Sequence, residues 1–354
     1  MKKLSIFPMT RDQCALPRFA ALLQGYEIAH CLTPTFKRLG GADTSHIDGG
    51  DITGIALTDF EPALLAHCHT LFIDYDEPMG DIDAYQKVID LAKEMGKEVI
   101  TSRLLAGKLS PQQEITAPLV HKTENPETDI IYDIPVPVVM VLSQGIYTDQ
   151  FATELALRKY FTDIGYKVSQ IGSLESSQFF GFPTIPPLLY EPRDMYEKTM
   201  HFNRYAKALA DKEDPELLII GAPGAITKYS NMQLQGLGAM PQIVCAAAPG
   251  DATALCLYQG DYDTGYLDML HNLTDYKLES PANFFTIANV AALPNGRYNG
   301  AKLEYIHLDS SFVMESIQDM EWGRYGVYNG LSNESMLQAG MAMQTALTDN
   351  VDNI

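Results

Sequence analysis

Short apolar runs alternate with amphipathic segments along the chain. In the first third, the pattern predicts strands at 3–7, 27–32, 54–57, 71–74 and 98–101 and helices at 12–24, 59–67 and 81–95. Gly-rich residues 40–51 fit no regular element. Because strands alternate with helices, we expect a parallel sheet with right-handed crossovers.

The pattern restarts after a polar segment that contains prolines. It predicts strands at 138–142, 167–173, 217–220, 243–248, 284–291 and 303–308 and helices at 149–163, 192–212 and 333–347. The sequence therefore predicts an α/β protein with two Rossmann-like, doubly wound domains and mostly parallel sheets. Their predicted bounds are 1–120 and 137–354, joined by a linker over 121–136.

Composition and charge argue against two classes of binding partner, nucleic acids and membranes. The chain has 354 residues, a net charge of −20 and a pI of about 4.7. An acidic chain repels phosphate backbones, so we expect no nucleic-acid partner. No apolar run approaches the length of a membrane span, so we expect no membrane partner. The first apolar stretch breaks at Pro8, too early for a secretory signal, which favours a cytoplasmic protein.

The cysteines fit a reducing compartment. The five cysteines include no CxxC pair, so neither a disulfide framework nor a zinc ribbon is indicated. Cys31 and Cys245 lie within apolar runs and are expected to be buried. Cys14 follows a predicted strand end and is either another buried thiol or a reactive, ligand-facing one.

The segment after the strand at 138–142 has the shape of a phosphate-binding loop without its charges. The P-loop template places Ser143 and Thr148 where glycines belong, Asp149 at the lysine position and Gln150 at the magnesium-binding position. A carboxylate there would repel a phosphate, so NTP hydrolysis is disfavoured and Asp149 is interpreted as a residue favoured by the helix dipole. The second domain thus resembles a degenerate P-loop NTPase. Its loop either holds a neutral or differently bound ligand or is scaffold. The candidate ligand-binding residues are Ser143, Gln144, Gly145 and Thr148.

Further loops follow the other predicted strands. They contribute the candidate ligand-binding residues Gly172, Ser173, Glu175, Gly221, Gly224 and Asp251. Since parallel sheets bind ligands at the carboxyl ends of their strands, we expect these loops to converge. Alternatively, the glycines and prolines only form turns. Lys228 either receives an anion or is a solvated surface residue. The sequence identifies no cofactor.

Histidine pairs provide weak signals for chemistry. His67 and His69 could share a metal ion on a strand, but a helix end there favours a structural interpretation, and we expect no metal site. His307 and Asp309 could form a general base with its orienting carboxylate, or a structural pair. No established catalytic motif is present, so whether the protein is an enzyme stays open.

Two segments suggest a protein partner. The aromatic, Pro-rich stretch 179–190 is either a lid or interface loop, or a packed crossing loop. The last predicted helix has Met336, Gly340, Met343 and Leu347 on one face, with Met341 beside it. Such a stripe fits an adaptable interface, a core or a homodimer seam.

Several segments resemble a known family. They are 3–8, 26–28, 45–50, 53–55, 139–145, 151–155 and 165–173. They are similar to the peptide maturation system protein of clostridial cassettes for Cys-rich, bacteriocin-like ribosomal peptides. The resemblance covers most of the chain but brings no catalytic residues. It implies an accessory protein that assists peptide maturation by binding the precursor peptide or a modifying enzyme. The alternative is a small-molecule enzyme whose strand-end loops bind an anionic or nucleotide-like substrate.

Overall fold

The computed structural model describes residues 1–76, 79–109, 130–295 and 302–351. Their contacts divide them into two compact units. The first takes its residues from Met1–Asp48, Ile52–Leu119 and Glu175–Gly181, and the second from Gly49–Asp51, Val120–Leu174 and Phe182–Ile354. Most of the predicted linker, 121–129, lies outside the described residues.

The first unit is built on a five-stranded parallel sheet. Its strands are β1 (Lys2–Phe7), β2 (Tyr26–Thr33), β3 (Leu57–Asp59), β4 (Thr70–Ile73) and β5 (Glu98–Thr101), in the order β3-β2-β1-β4-β5. Its helices are α1 (Ala15–Arg18), α2 (Ser45–Asp48), α3 (Ile82–Glu94) and α4 (Arg103–Ala106). Tyr85, Ile89 and Ala92 of α3 recur at helical spacing and are fully buried against the sheet.

The predicted helix over 12–24 is wrong. The structure has a 3₁₀ turn, the single-turn α1 and a second 3₁₀ turn in this stretch. Phe19 leaves the helical region with a φ of −111° and a ψ of 32°, and Pro17 lacks the N–H that a longer helix would need. Likewise, the predicted helix at 59–67 is a 3₁₀ turn over Pro62–His67.

The second unit contains a six-stranded parallel sheet and a separate antiparallel ribbon. The sheet strands are β6 (Val138–Ser143), β7 (Val168–Ile171), β8 (Leu217–Ala225), β9 (Ala252–Leu257), β10 (Ala282–Ile287) and β13 (Gly326–Asn329), in the order β13-β10-β9-β6-β8-β7. The ribbon pairs β11 (Val290–Pro294) with β12 (Leu303–His307). Its helices are α5 (Gln150–Asp163), α6 (Met195–Glu213), α7 (Ala239–Ala247), α8 (Thr264–Leu278), α9 (Ser310–Gln318) and α10 (Asn333–Val351). The predicted α/β class with mostly parallel sheets is confirmed.

Helices cover both faces of this sheet because alternate residues of its strands point to opposite sides. Val138, Met140 and Leu142 of β6 face a core formed with α6, α7, α8 and α9. Val139 and Val141 face the second core, formed with α5 and α10. β6 is therefore buried on both faces, as its uninterrupted apolar run predicts.

The methionine stripe of α10 belongs to this second core. Met336 and Met343 are buried there, whereas Met341 is 56% exposed. A Cβ on Gly340 would lie 2.4 Å from the ring of Tyr160 on α5, so the glycine permits the close approach of the two helices. The stripe thus fills a core rather than an interface.

One predicted strand is a helix. Residues 243–248 lie largely in α7, which packs between α6 and β8, and the strand is β9. A short apolar run does not distinguish a buried helix from a buried strand, which explains the error. Similarly, the predicted strand at 284–291 is divided between β10 and the ribbon, while α8, α9 and β13 were not predicted.

The aromatic stretch 179–190 is packed rather than open. Phe179 lies in the first unit against the rings of Tyr26 and Phe72, with ring centroids 5.2 Å apart in each pair. Ile185 and Leu189 lie in the core of the second unit. The packed-loop interpretation is therefore the correct one. Over the described ranges, no helix is both long and apolar enough to cross a membrane.

All five cysteines are buried and free. Burial raises the pKa of Cys14, and it raises those of Cys31, Cys245 and Cys256 to about 12. The Cys14 thiol also donates a hydrogen bond to the carbonyl of Thr10 at 3.4 Å. The hypothesis of a reactive Cys14 is therefore wrong, because the thiolate is the reactive form.

We expect Ellman's reagent to titrate none of these thiols in the native protein within minutes, and all five in guanidinium chloride. Enclosure suppresses the reaction at all five thiols, and the raised pKa of Cys14, Cys31, Cys245 and Cys256 suppresses it further at those four. A rapid native reaction that disappears in Cys14→Ser would restore a reactive role for this residue.

Candidate functional site

The loop that follows β6 lies where the strand order of the second sheet reverses. β6 has β8 on one side and β9 on the other. Ligands of parallel α/β sheets bind outside the carboxyl ends of the strands, at such a reversal. Residues 144–149 therefore form the first candidate site.

Internal hydrogen bonds close this loop. The Ser143 hydroxyl donates to the carbonyl of Gly224 at 3.0 Å, and the Thr148 hydroxyl donates to the carbonyl of Gly145 at the same distance. Both hydroxyl-bearing residues are about 1% exposed. The structure thus brings the predicted residues Ser143, Gly145, Thr148 and Gly224 together, with their hydroxyls engaged by backbone.

The two template positions that would hold phosphate and magnesium serve the fold instead. Asp149 has a φ of +57°, and its carboxylate accepts the backbone N–H of Asn289 at 3.1 Å. Asp149 is the N-cap residue of α5, as the helix-end interpretation predicts, although its side chain makes no capping hydrogen bond. Gln150 donates from Nε2 to the carbonyls of Val141 at 2.9 Å and Ala222 at 2.8 Å. Both side chains are therefore engaged by backbone groups of the fold.

A tyrosine side chain packs against the loop. Tyr258, just after β9, is 2% exposed and donates its hydroxyl to the carbonyl of Ile146 at 2.8 Å. A Cβ on Gly145 would lie 2.3 Å from that hydroxyl oxygen. Glycine at this position therefore leaves room for the hydroxyl of Tyr258.

The side chain of Gln144 links the loop to two more tyrosines. Its Oε1 accepts the backbone N–H of Tyr258 at 3.1 Å and the hydroxyl of Tyr262 at 3.2 Å. Its Nε2 donates to the hydroxyl of Tyr266 at 3.0 Å. The rings of Tyr262 and Tyr266 are stacked, with centroids 4.9 Å apart and planes 11° apart. A single amide thus fixes the orientation of both rings.

These residues belong to a larger group, here called the tyrosine cluster. Its members are Tyr147, Tyr229, Tyr258, Tyr262, Tyr266 and Tyr305. The ring centroids are 5.0 Å apart for Tyr147 and Tyr305, and 6.2 Å apart for Tyr229 and Tyr258. Burial raises the pKa of Tyr229, Tyr258, Tyr262 and Tyr266, so these phenols stay neutral. The sequence analysis did not predict this cluster.

A second group surrounds the buried carboxyl of Glu154 on α5. Its Oε2 accepts the backbone N–H of Ser173 at 3.2 Å and the Nε2 of Gln170 at 3.3 Å. A Cβ on Gly221 would lie 2.0 Å from Oε1, so only glycine fits beside this carboxyl. Burial raises the pKa of Glu154 to about 8. The predicted residues Ser173 and Gly221 therefore contact Glu154, a residue that the sequence analysis did not predict. The predicted residue Gly172 donates its backbone N–H to the carbonyl of Pro183.

Two predicted residues lie elsewhere. Asp251 precedes β9, and its carboxylate accepts the backbone N–H of Val138, the first residue of β6, at 2.7 Å. It therefore lies at the amino ends of the strands, because the strand predicted before it is α7. Glu175 belongs to the first unit, where it forms a 3.1 Å ion pair with Arg103. The expected convergence of all the loops is corrected at these two positions.

His69 and Asp309, one from each of the two pairs, make structural hydrogen bonds. Across the part of the chain that the structure describes, no group of three His, Cys, Asp or Glu side chains could hold a metal ion. His69 accepts the backbone N–H of Lys3 at its Nδ1, 2.9 Å away. Asp309 caps α9 by accepting the N–H and hydroxyl of Ser311.

Comparisons with known proteins identify a shared fold only. No protein-family model matches the chain, and no curated protein does. The crystal structure of a DUF1611 family protein from Anabaena variabilis matches with a TM-score of 0.57 and 13% identity, over 97% of this chain and 100% of that one. A pseudomurein peptide ligase type C from Methanothermus fervidus matches with a TM-score of 0.25 and 11% identity, over 81% of this chain and 44% of that one. Chloroplast FtsY from Physcomitrella patens matches with a TM-score of 0.26 and 20% identity, over 48% and 53%. The DUF1611 family protein therefore shares the fold of this chain along nearly its whole length.

Proposed function

We propose that this protein is a peptide-binding accessory protein, which assists the maturation of a ribosomally synthesised peptide by holding the precursor at the tyrosine cluster. One observation carries the proposal: the loop at the strand-order reversal is closed around tyrosine rings. Tyrosines supply large amphipathic contact surfaces at a low cost in side-chain entropy, which suits peptide recognition. The maturation context comes from the family resemblance of the sequence.

Exposed apolar side chains beside the tyrosine cluster support the proposal of peptide binding. Ile146, whose carbonyl accepts the Tyr258 hydroxyl, is 55% exposed. Leu234 and Leu237 are 51% and 58% exposed, and they flank Gln235, whose side chain lies against Gly145. Apolar groups exposed around a fixed aromatic surface are typical of sites that bind proteins or peptides.

The alternative, a small-molecule enzyme with an anionic or nucleotide-like substrate, has less support. The Asp149 carboxylate lies where such a substrate needs a cation. Lys228, the candidate anion receptor, donates to Asn231 at 2.6 Å.

Panning a random dodecapeptide display library against the purified full chain tests the proposal. An enriched peptide is then made with a fluorophore, and its affinity is measured by anisotropy. Tyr266→Ala is expected to weaken binding about tenfold or more, because it removes an anchored ring. Tyr276→Ala is the matched control, since Tyr276 lies on the same helix but is 85% exposed.

A thermal-shift panel separates the two functions. With ATP, GTP, their diphosphates, S-adenosylmethionine and NAD(P), with and without magnesium, we expect no change in the unfolding midpoint. A nucleotide at a hundred times its Kd would add about 2.7 kcal/mol and raise the midpoint by several degrees. Such a shift, or a library that yields no peptide dependent on Tyr266, would contradict the proposed function.

A further inference from the structure

We infer that the bound peptide presents a cationic side chain, lysine or arginine, to the stacked rings of Tyr262 and Tyr266. This inference rests on the proposed function and names the chemistry that the same site selects. It is carried by the fixed orientation of the rings, the carboxylates around them and the engagement of the neighbouring lysines.

The hydroxyls of the stacked pair are already engaged. Gln144 accepts from Tyr262 and donates to Tyr266, so both polar ends of the pair are turned toward the loop. Tyr262 and Tyr266 are both half-buried. What they offer to a ligand is therefore mainly the electron-rich ring, which attracts cations. Because the amide fixes both rings, little side-chain entropy is lost when a cation binds.

Carboxylates stand next to these rings. Asp261 and Asp263 flank Tyr262 in the sequence, and both are exposed. Asp263 is held in place, because its Oδ1 accepts the backbone N–H of Tyr266 at 2.7 Å. The chain as a whole carries a charge of −20, which steers cationic ligands toward it. Aromatic rings with adjacent carboxylates form a site that favours an ammonium or guanidinium group over an anion.

The lysines in this region do not supply that cation themselves. Lys277 donates to the carbonyls of Ile226 at 3.0 Å and Leu237 at 3.1 Å. Lys228 donates to Asn231. Since their charges are held by these contacts, the cation at the stacked pair is expected to come from the ligand.

The test compares peptides that differ only in charge. In the highest-affinity dodecapeptide from the panned library, each arginine is replaced by citrulline, which has nearly the same shape and no charge, and each lysine by norleucine. We expect one such replacement to weaken binding by about 3- to 30-fold, as for a cation–π contact with neighbouring carboxylates. We also expect that loss to shrink as sodium chloride is raised from 50 to 500 mM.

Variants of the protein locate the effect. Tyr262→Leu should remove most of the preference for arginine over citrulline, and Tyr262→Phe, which keeps the ring, should retain it. Tyr276→Leu, on the exposed part of α8, should leave the preference unchanged. Peptides that bind through Tyr266 with equal affinity for arginine and citrulline would overturn the cationic inference but leave the proposed function intact. A library without any Tyr266-dependent peptide would overturn both.

Discussion

Alanine at Gly49 is expected to lower the free energy of unfolding by about 3–5 kcal/mol. Gly49 belongs to the second unit and has a φ of +71°, a conformation that costs an L-residue energy. Its Cβ would lie 1.9 Å from the carbonyl oxygen of Leu308, so one of the two backbone segments must shift. The Gly49 carbonyl also accepts the backbone N–H of Ser310 and the Nδ2 of Asn289, each at 2.8 Å. A shift would weaken both bonds.

Urea unfolding monitored by circular dichroism measures this loss, and Gly236→Ala provides a matched control. Gly236 also lies in the second unit and has a φ of +70°, but nothing lies within 4 Å of the Cβ it would gain. The control should therefore cost only the backbone strain, about 1–2 kcal/mol. Equal losses in the two variants would mean that the Leu308 contact contributes nothing, contrary to the expectation.

The destabilisation expected for Gly49→Ala comes from long-range contacts that local sequence patterns do not predict. The glycine-rich stretch 40–51 was expected to form no regular element, but it contains the single-turn helix α2. Nothing in its sequence indicates that Gly49 accepts hydrogen bonds from residues 240 and 261 positions away. The strand at 138–142 was predictable because its apolar run is uninterrupted, and the helix at 149–163 because it lies between a loop and Gly165. α7 was not, because its apolar run satisfies a strand and a buried helix equally.

The candidate site also contains residues that the sequence predicted and residues that it did not. Strand ends and small residues located Ser143, Gly145 and Gly224 correctly at one edge of the sheet. The partner that fills the loop, Tyr258, lies more than a hundred residues away and contacts it through side chains. The prediction that Asp251 lies at this edge was wrong, because residues 243–248, which precede it, form a helix and not the predicted strand. Sequence patterns therefore predicted the edge of the sheet but not which side chains occupy it.

Glu154→Gln is expected to stabilise the protein increasingly as pH rises. The carboxyl of Glu154 is fully buried between α5 and the sheet, and its Oε1 has no hydrogen-bond partner among the described residues. Burial raises its pKa from the usual 4.5 to about 8. Between these two values the unfolded chain has released the proton and the folded chain still holds it. Since the unfolded state then binds fewer protons, the wild-type free energy of unfolding falls as pH rises.

That fall has a slope of at most about 1.4 kcal/mol per pH unit, and glutamine does not show it. The difference between Glu154→Gln and wild type should therefore be constant below pH 4.5, grow from there to pH 8, and reach several kcal/mol before it levels off. Urea unfolding at pH 4, 5.5, 7 and 8.5 measures this curve. The shape of the curve matters more than its height, because only titration of a buried acid produces growth confined to this window.

A second variant separates the charge from the hydrogen bonds. Glu154→Leu removes the titrating group and also the acceptor for the Ser173 N–H and for Gln170. It should show the same growth with pH as Glu154→Gln, displaced downward by about 1–3 kcal/mol for the unsatisfied donors. If both differences were flat from pH 4 to 8.5, Glu154 would be ionised in the folded protein and its carboxylate would be part of a polar site. If the glutamine curve were displaced downward by the same amount at every pH, the new amide would be disturbing the packing against Gly221.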